Sequence, residues 1–129
     1  MYDTICRPLT LLENKILDKL FELNFKGREV FLKQRSGLKA KQIDANGSLI
    51  FFVDAKVETS SVNGFIAEAK CPDTNTSENY PAAINILLHA KKGRLWYLEI
   101  YKDDSSLLLG RPNPDKFSLF TPKPEEGQL

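Results

Sequence analysis

The apolar positions along this chain begin with a helical period and then change to that of a strand. Leu12, Ile16, Leu20 and Leu23 recur every three or four residues, with Leu17 and Phe21 beside them, which is the stripe of an amphipathic helix. Thr10-Leu11-Leu12-Glu13 opens it as a capping box: the Thr10 hydroxyl accepts the Glu13 N–H, and the Glu13 side chain reaches back to the Thr10 N–H. Asn24 to Gly27 stops it. A second, shorter helix is predicted from Arg28 to about Arg35, with Val30, Phe31 and Leu32 inward and Gly37 as terminator. Beyond it the pattern is that of strands. Leu38 to Asp44 and Leu49 to Val53 flank Asn46-Gly47, a hairpin signal because both residues tolerate positive φ in a type I′ turn. A two-residue and a three-residue loop both leave an acceptable apolar face there. Gly64 to Cys71 alternates Phe65, Ala67 and Ala69 with Ile66, Glu68 and Lys70, a third strand that Pro72 ends.

Pro81 to Asp104 carries the clearest pattern. With Lys91, Lys92 and Gly93 as a three-residue loop, Ile84, Ile86 and Leu88 face Ile100, Leu98 and Trp96. The opposite face then pairs Ala83 with Tyr101, Asn85 with Glu99, Leu87 with Tyr97 and His89 with Leu95. Between Cys71 and Pro81 the segment DTNTSENY reads as a surface loop and a candidate contact loop. After Asp104 come Leu107 to Leu109 and GRPNPDKFSLF, whose prolines and glycine forbid a regular helix, so Phe117, Leu119 and Phe120 are expected to pack an extended tail onto the body. Residues 121–129 read as frayed. The order of elements predicts a single α+β domain over residues 1–129. Two N-terminal helices cover one face of an antiparallel sheet of about five strands, followed by an extended C-terminal tail. Tyr97, Glu99 and Tyr101 would make a flat aromatic and acidic surface on the other face.

Composition narrows the function classes. A chain of 129 residues with 42% hydrophobic and 27% charged residues is ordinary for a soluble domain. No run approaches the roughly 18 apolar residues of a membrane span. MYDTICRPLT lacks a basic segment followed by an apolar one, so a cytoplasmic location is expected. Cys6 and Cys71 show no metal or disulfide spacing and read as reduced structural thiols. One histidine excludes His-rich metal sites and mechanisms needing two imidazoles. In the register above, His89 sits across from Leu95 at the turn end, and a structural or solvated role is expected for it. Neither a Walker A pattern nor a GxGxxG follows a strand. Asp103-Asp104 and Glu125-Glu126 are adjacent acids without the further ligands that calcium needs. The chain therefore calls for no cofactor or metal and reads as a non-enzyme.

The net charge of +1 exerts no overall pull on nucleic acid or membrane, but the charges are unevenly placed. Lys26, Arg28, Lys33, Arg35, Lys39 and Lys41 lie within one segment, while Asp54, Glu58, Glu68, Asp73 and Glu78 dominate another. The basic segment 26–41, with Phe25 or Phe31 for stacking, would suit a nucleic-acid-associated binding module. The near-neutral total favours a solvated helix face whose phenylalanines are core.

The segments RPLTLLENKILDKL and GRLWYLEIYKDD, with the following Pro-Asn-Pro-Asp, resemble a small bacterial α+β family of unknown function, and through it immunity proteins of the contact-dependent growth inhibition type. The resemblance spans roughly Arg7 to Phe120 and carries no catalytic residue. It departs at Gly110-Arg111, where an apolar residue would be usual. It implies an immunity protein that binds a cognate toxin domain of nuclease type and occludes its active site. The residues expected to meet such a partner are Asp54, Glu58, Glu68, Asp73, Glu78, Tyr80, Tyr97, Glu99, Tyr101, Asp103 and Asp104. The nucleic-acid module is the alternative, and a small enzyme using His89 or a cysteine comes third.

Overall fold

Local chemistry builds the first helix as expected. In the computed structural model, which describes residues 3–73 and 82–122, α1 spans Leu11–Leu20. Thr10 Oγ1 accepts the Glu13 N–H at 3.2 Å, and Glu13 Oε1 accepts the Thr10 N–H at 2.9 Å. Arg7 grips the same carboxylate through two bonds of 2.8 and 3.0 Å, tying the cap to a short strand, β1 (Arg7–Pro8). Ile16, Leu17 and Leu20 are buried, and α2 (Arg28–Gln34) adds Phe31.

The sheet contains β1, β2 (Lys39–Gln42), β3 (Leu49–Phe52), β4 (Gly64–Cys71), β5 (Ile84–Lys91), β6 (Arg94–Lys102) and β7 (Ser118–Phe120). Their order is β1-β2-β3-β6-β5-β4-β7, every pairing antiparallel. Seven strands among the described residues replace the expected five or so. The two additions are edge strands of two and three residues, too short to carry a period of two. β7 forms because the tail docks on β4 through Ser118 to Phe120, with a 3₁₀ turn at Pro114–Lys116 just before it. Phe117 and Leu119 pack against the core, whereas Phe120 stays exposed.

One face of the sheet, with Ala40, Leu49, Phe51, Ala69, Ile84, Ile86, Leu88, Leu98 and Ile100, is buried in one cluster with Ile16, Leu17, Leu20 and Phe31 from the helices. The alternate residues Leu87, His89, Tyr97, Glu99 and Tyr101 are half-buried or exposed on the opposite face.

The second hairpin has a different register from the one expected. Lys92 and Gly93 form a two-residue turn, both at positive φ (54° and 74°), and Lys91 pairs with Arg94. Ile84 then lies opposite Lys102, Ile86 opposite Ile100, Leu88 opposite Leu98 and His89 opposite Tyr97. Trp96 is the extra residue of a bulge between the Ala90–Leu95 and His89–Tyr97 pairs. The cause is parity: Leu95 and Leu98 are both buried, and residues three apart share a face of a strand only if one is inserted between them. Trp96 is thereby turned outward, where the Lys91 ammonium lies 4.9 Å from its ring centre. The shift by two positions keeps Ile84, Ile86 and Leu88 on their expected face.

The turn is held from outside. A Cβ on Gly93 would fall 1.9 Å from the Ser60 carbonyl oxygen, so only glycine allows this approach. The Gly93 carbonyl accepts the Ser60 N–H (2.9 Å) and the Gln34 side-chain amide (2.9 Å). Gln34, fully buried on α2, also donates to the Glu58 carbonyl and accepts the Leu95 N–H. The first hairpin has a longer loop than either expected length. Ile43 bonds to Ser48 around Asp44 to Gly47, whose turn is organised by the Asp44 carboxylate accepting the N–H groups of Asn46 and Ser48. Gly47 has positive φ there and Asn46 does not.

Candidate functional site

The open face of the sheet gathers chemistry in registered rows. Tyr97 of β6 lies opposite His89 of β5, which lies opposite Phe65 of β4. One pair along, Glu99 faces Leu87, which faces Glu68, with Phe120 beyond it. The third row is Tyr101, Asn85, Lys70 and Ser118. The His89 ring stacks on Tyr97 at 5.4 Å and 21°, and its Nε2 lies 3.1 Å from Glu99 Oε1. Trp96 leans on Tyr97 at 5.7 Å. Asn85, nearly fully buried, donates to the Asp103 carboxylate at 2.6 Å, which fixes Asp103 just beyond the end of β6.

Both tyrosines are held in the neutral phenol form. Burial, then the Glu99 carboxylate, pushes the Tyr97 phenol above its ordinary value of 10.0, against an opposing hydrogen bond from Ser48. Burial raises Tyr101 as well, followed by the negative fields of Glu99, Glu68 and Asp103. Tyr101 therefore lies within electrostatic reach of three carboxylates while its side chain remains accessible, at 37% exposure.

Five of the expected contact residues are thus brought together: Glu68, Tyr97, Glu99, Tyr101 and Asp103. The others are dispersed. Asp54 and Glu58 lie in the β3–β4 connection, Glu58 beside α2. Asp54 caps a turn through the Lys56 N–H, and Glu58 pairs with Lys33 at 3.3 Å. Asp73 is 1% exposed and lies inside the fold rather than at its surface. Its carboxylate accepts the N–H groups of Leu109 and Gly110 and lies 3.3 Å from the equally buried Lys102. Asp104 bonds both the N–H and the hydroxyl of Ser106, which holds its carboxyl below the ordinary carboxylate value. Glu78 and Tyr80, with most of the expected contact loop, lie outside the described residues.

Sequence reasoning missed the centre of the face. His89 was expected opposite Leu95 at the turn end, and the bulge at Trp96 moves it opposite Tyr97 and within reach of Glu99. The signal was present in the i, i+3 spacing of Leu95 and Leu98.

The basic segment divides between two surfaces. Arg28 bonds the Phe21 carbonyl, Lys33 pairs with Glu58, and Arg35 pairs with Asp18 at 2.9 Å while lying over the Phe21 ring. Phe25 and Phe31 are buried in the core and present no stacking surface. Lys39 and Lys41 project instead onto the β2 end of the open face.

Among the described residues, His89 and Glu99 have no cysteine, serine or threonine as a side-chain partner. A cleft of about 680 Å³ lies between the first turn of α1, the β2–β3 turn and residues 108–112, and a hollow of about 460 Å³ lies between α1 and the 3₁₀ turn. Neither includes the pair. Among the described residues no group of three or more His, Cys, Asp or Glu is placed to hold a metal ion, and no helix is long and apolar enough to cross a membrane. No protein-family model matches the chain, and searches of curated proteins and of solved structures return no match.

Proposed function

We propose that this chain is an immunity protein: a binding module that neutralises one toxin domain by laying the open face of its sheet over the toxin's active site or substrate channel. The observation that carries the reading is the cluster of Tyr97, Glu99, Tyr101, Glu68 and Asp103, set in register by the sheet, with the Glu99 carboxylate held by His89 and that of Asp103 by Asn85. Such a face is pre-organised, so little conformational entropy is lost on docking. Tyrosines supply anchor area, and carboxylates steer a basic partner and occupy positions that a phosphate backbone would take in a nuclease cleft. Binding alone performs this function.

The experiment is co-expression of the tagged chain with the open reading frame immediately upstream of its gene. A stoichiometric complex, with host growth rescued from that neighbour's toxicity, is the expected result. A harmless neighbour that fails to bind removes the reading.

A further inference from the structure

The acidic half of the open face has a charge pattern that specifies more than a generally basic partner. Tyr101 offers an exposed ring on β6; Glu99 and Asp103 lie two residues to either side of it, and Glu68 lies across Leu87 from Glu99 on the same face. Among the described residues no lysine or arginine pairs with any of the three: Glu99 bonds His89, and Asp103 bonds the neutral Asn85 amide. With Lys70 in the Tyr101 row as the cation beside these three carboxylates, the cluster remains net anionic beside an aromatic surface, in a chain whose total charge is only +1. The His89 contact is to Glu99 Oε1 and leaves Oε2 for a further donor.

We propose that this half of the face docks an arginine of the protein partner, its guanidinium lying on the Tyr101 ring and donating to Glu99 and Glu68. This deepens the binding role assigned above and rests on it. Arginine fits because its planar cation stacks on an aromatic face while its edge N–H groups reach carboxylates beside the ring. A lysine ammonium satisfies the charge but cannot stack and fork at once. An apolar partner would strip water from three carboxylates without compensation.

The test is an NMR titration of the full chain, at low ionic strength, with a blocked Gly-Arg-Gly-Arg-Gly peptide and its lysine counterpart. Expected are shifts confined to β4, β5 and β6 around Glu68, Leu87, Glu99 and Tyr101, with the arginine peptide the tighter. Binding should weaken by roughly three- to tenfold in both Tyr101→Leu and Glu99→Gln, the size of an exposed cation–π or charge-assisted contact. Shifts elsewhere, no shifts, or equal affinity for the two peptides unchanged by Tyr101→Leu would overturn the proposal. Co-purification with the upstream neighbour separates the two levels. A complex undiminished in Glu99→Gln/Tyr101→Leu overturns the arginine site and leaves the immunity reading standing. Arginine-selective binding without any toxin complex does the reverse.

Discussion

Three buried polar side chains, Gln34 and the pair Lys102 and Asp73, hold the surroundings of the open face. Gln34 uses its amide three times, toward Glu58, Gly93 and Leu95, and so joins α2, the β3–β4 connection and the second hairpin. Gln34→Leu keeps much of the volume but strands buried backbone groups, and it should cost about 2–4 kcal/mol. Urea unfolding followed by circular dichroism checks this, with a lowered midpoint at unchanged slope. Lys102 and Asp73 form the second lock, since the same carboxylate that meets Lys102 also holds the Leu109 and Gly110 N–H groups. Lys102→Met leaves that carboxylate buried beside an apolar chain, at a cost of about 3–5 kcal/mol by the same assay. Nothing in the sequence singles out this pair. Asp73 follows Cys71-Pro72 in what reads as a polar loop, and its partner lies far along the chain at the end of β6, so burial decides a role that local composition had assigned to the surface.

At the scale of elements, the legible parts are those whose causes are local. The Thr10–Glu13 box starts α1 and Pro72 closes β4 where the sequence places them, because each signal and its effect lie within a few residues. The register of β5 and β6 was not legible in the same way. It depends on the Trp96 bulge, which arises because both Leu95 and Leu98 must reach the core, a tertiary demand that overrides alternation. The edge strands β1 and β7 depend on the tail and the N-terminal segment finding partners far away in sequence. The Lys92-Gly93 turn gives this account a sensitive test. Lysine is strained at φ 54°, a conformation asparagine tolerates, so Lys92→Asn should stabilise the chain by about 0.5–1 kcal/mol in thermal unfolding. Gly93→Ala should act in the opposite direction and more strongly, because the added methyl meets the Ser60 backbone.

At the scale of the whole molecule, the described residues give the sheet one face closed by helices and one left open, and the open face carries Tyr97, Glu99 and Tyr101 with Glu68. The two raised tyrosines give that face a pH signature. Their phenols keep protons in the folded state that the unfolded chain releases near pH 10.0, so their contribution to stability is intact below that pH and falls as pH rises through the folded values. Tyr97→Phe/Tyr101→Phe should flatten this alkaline loss when unfolding is followed from pH 9 to 11. Three of the expected contact residues, Tyr97, Glu99 and Tyr101, could be placed on the open face from alternation alone, because they share a parity that the register shift of two preserves. Asp54 and Glu58 entered the set as part of the acidic segment Asp54 to Glu78, and the chain's path carries Glu58 to the helix side instead. The most direct measurement is calorimetric titration of the upstream neighbour's toxin domain into the wild-type chain and into Glu99→Gln/Tyr101→Leu. If the open face is the interface, the wild type binds and the double variant loses about thirtyfold or more in affinity, the effect of removing central anchors. Equal affinity for both chains would contradict an interface on this face, and no binding by the wild type would contradict the immunity role itself.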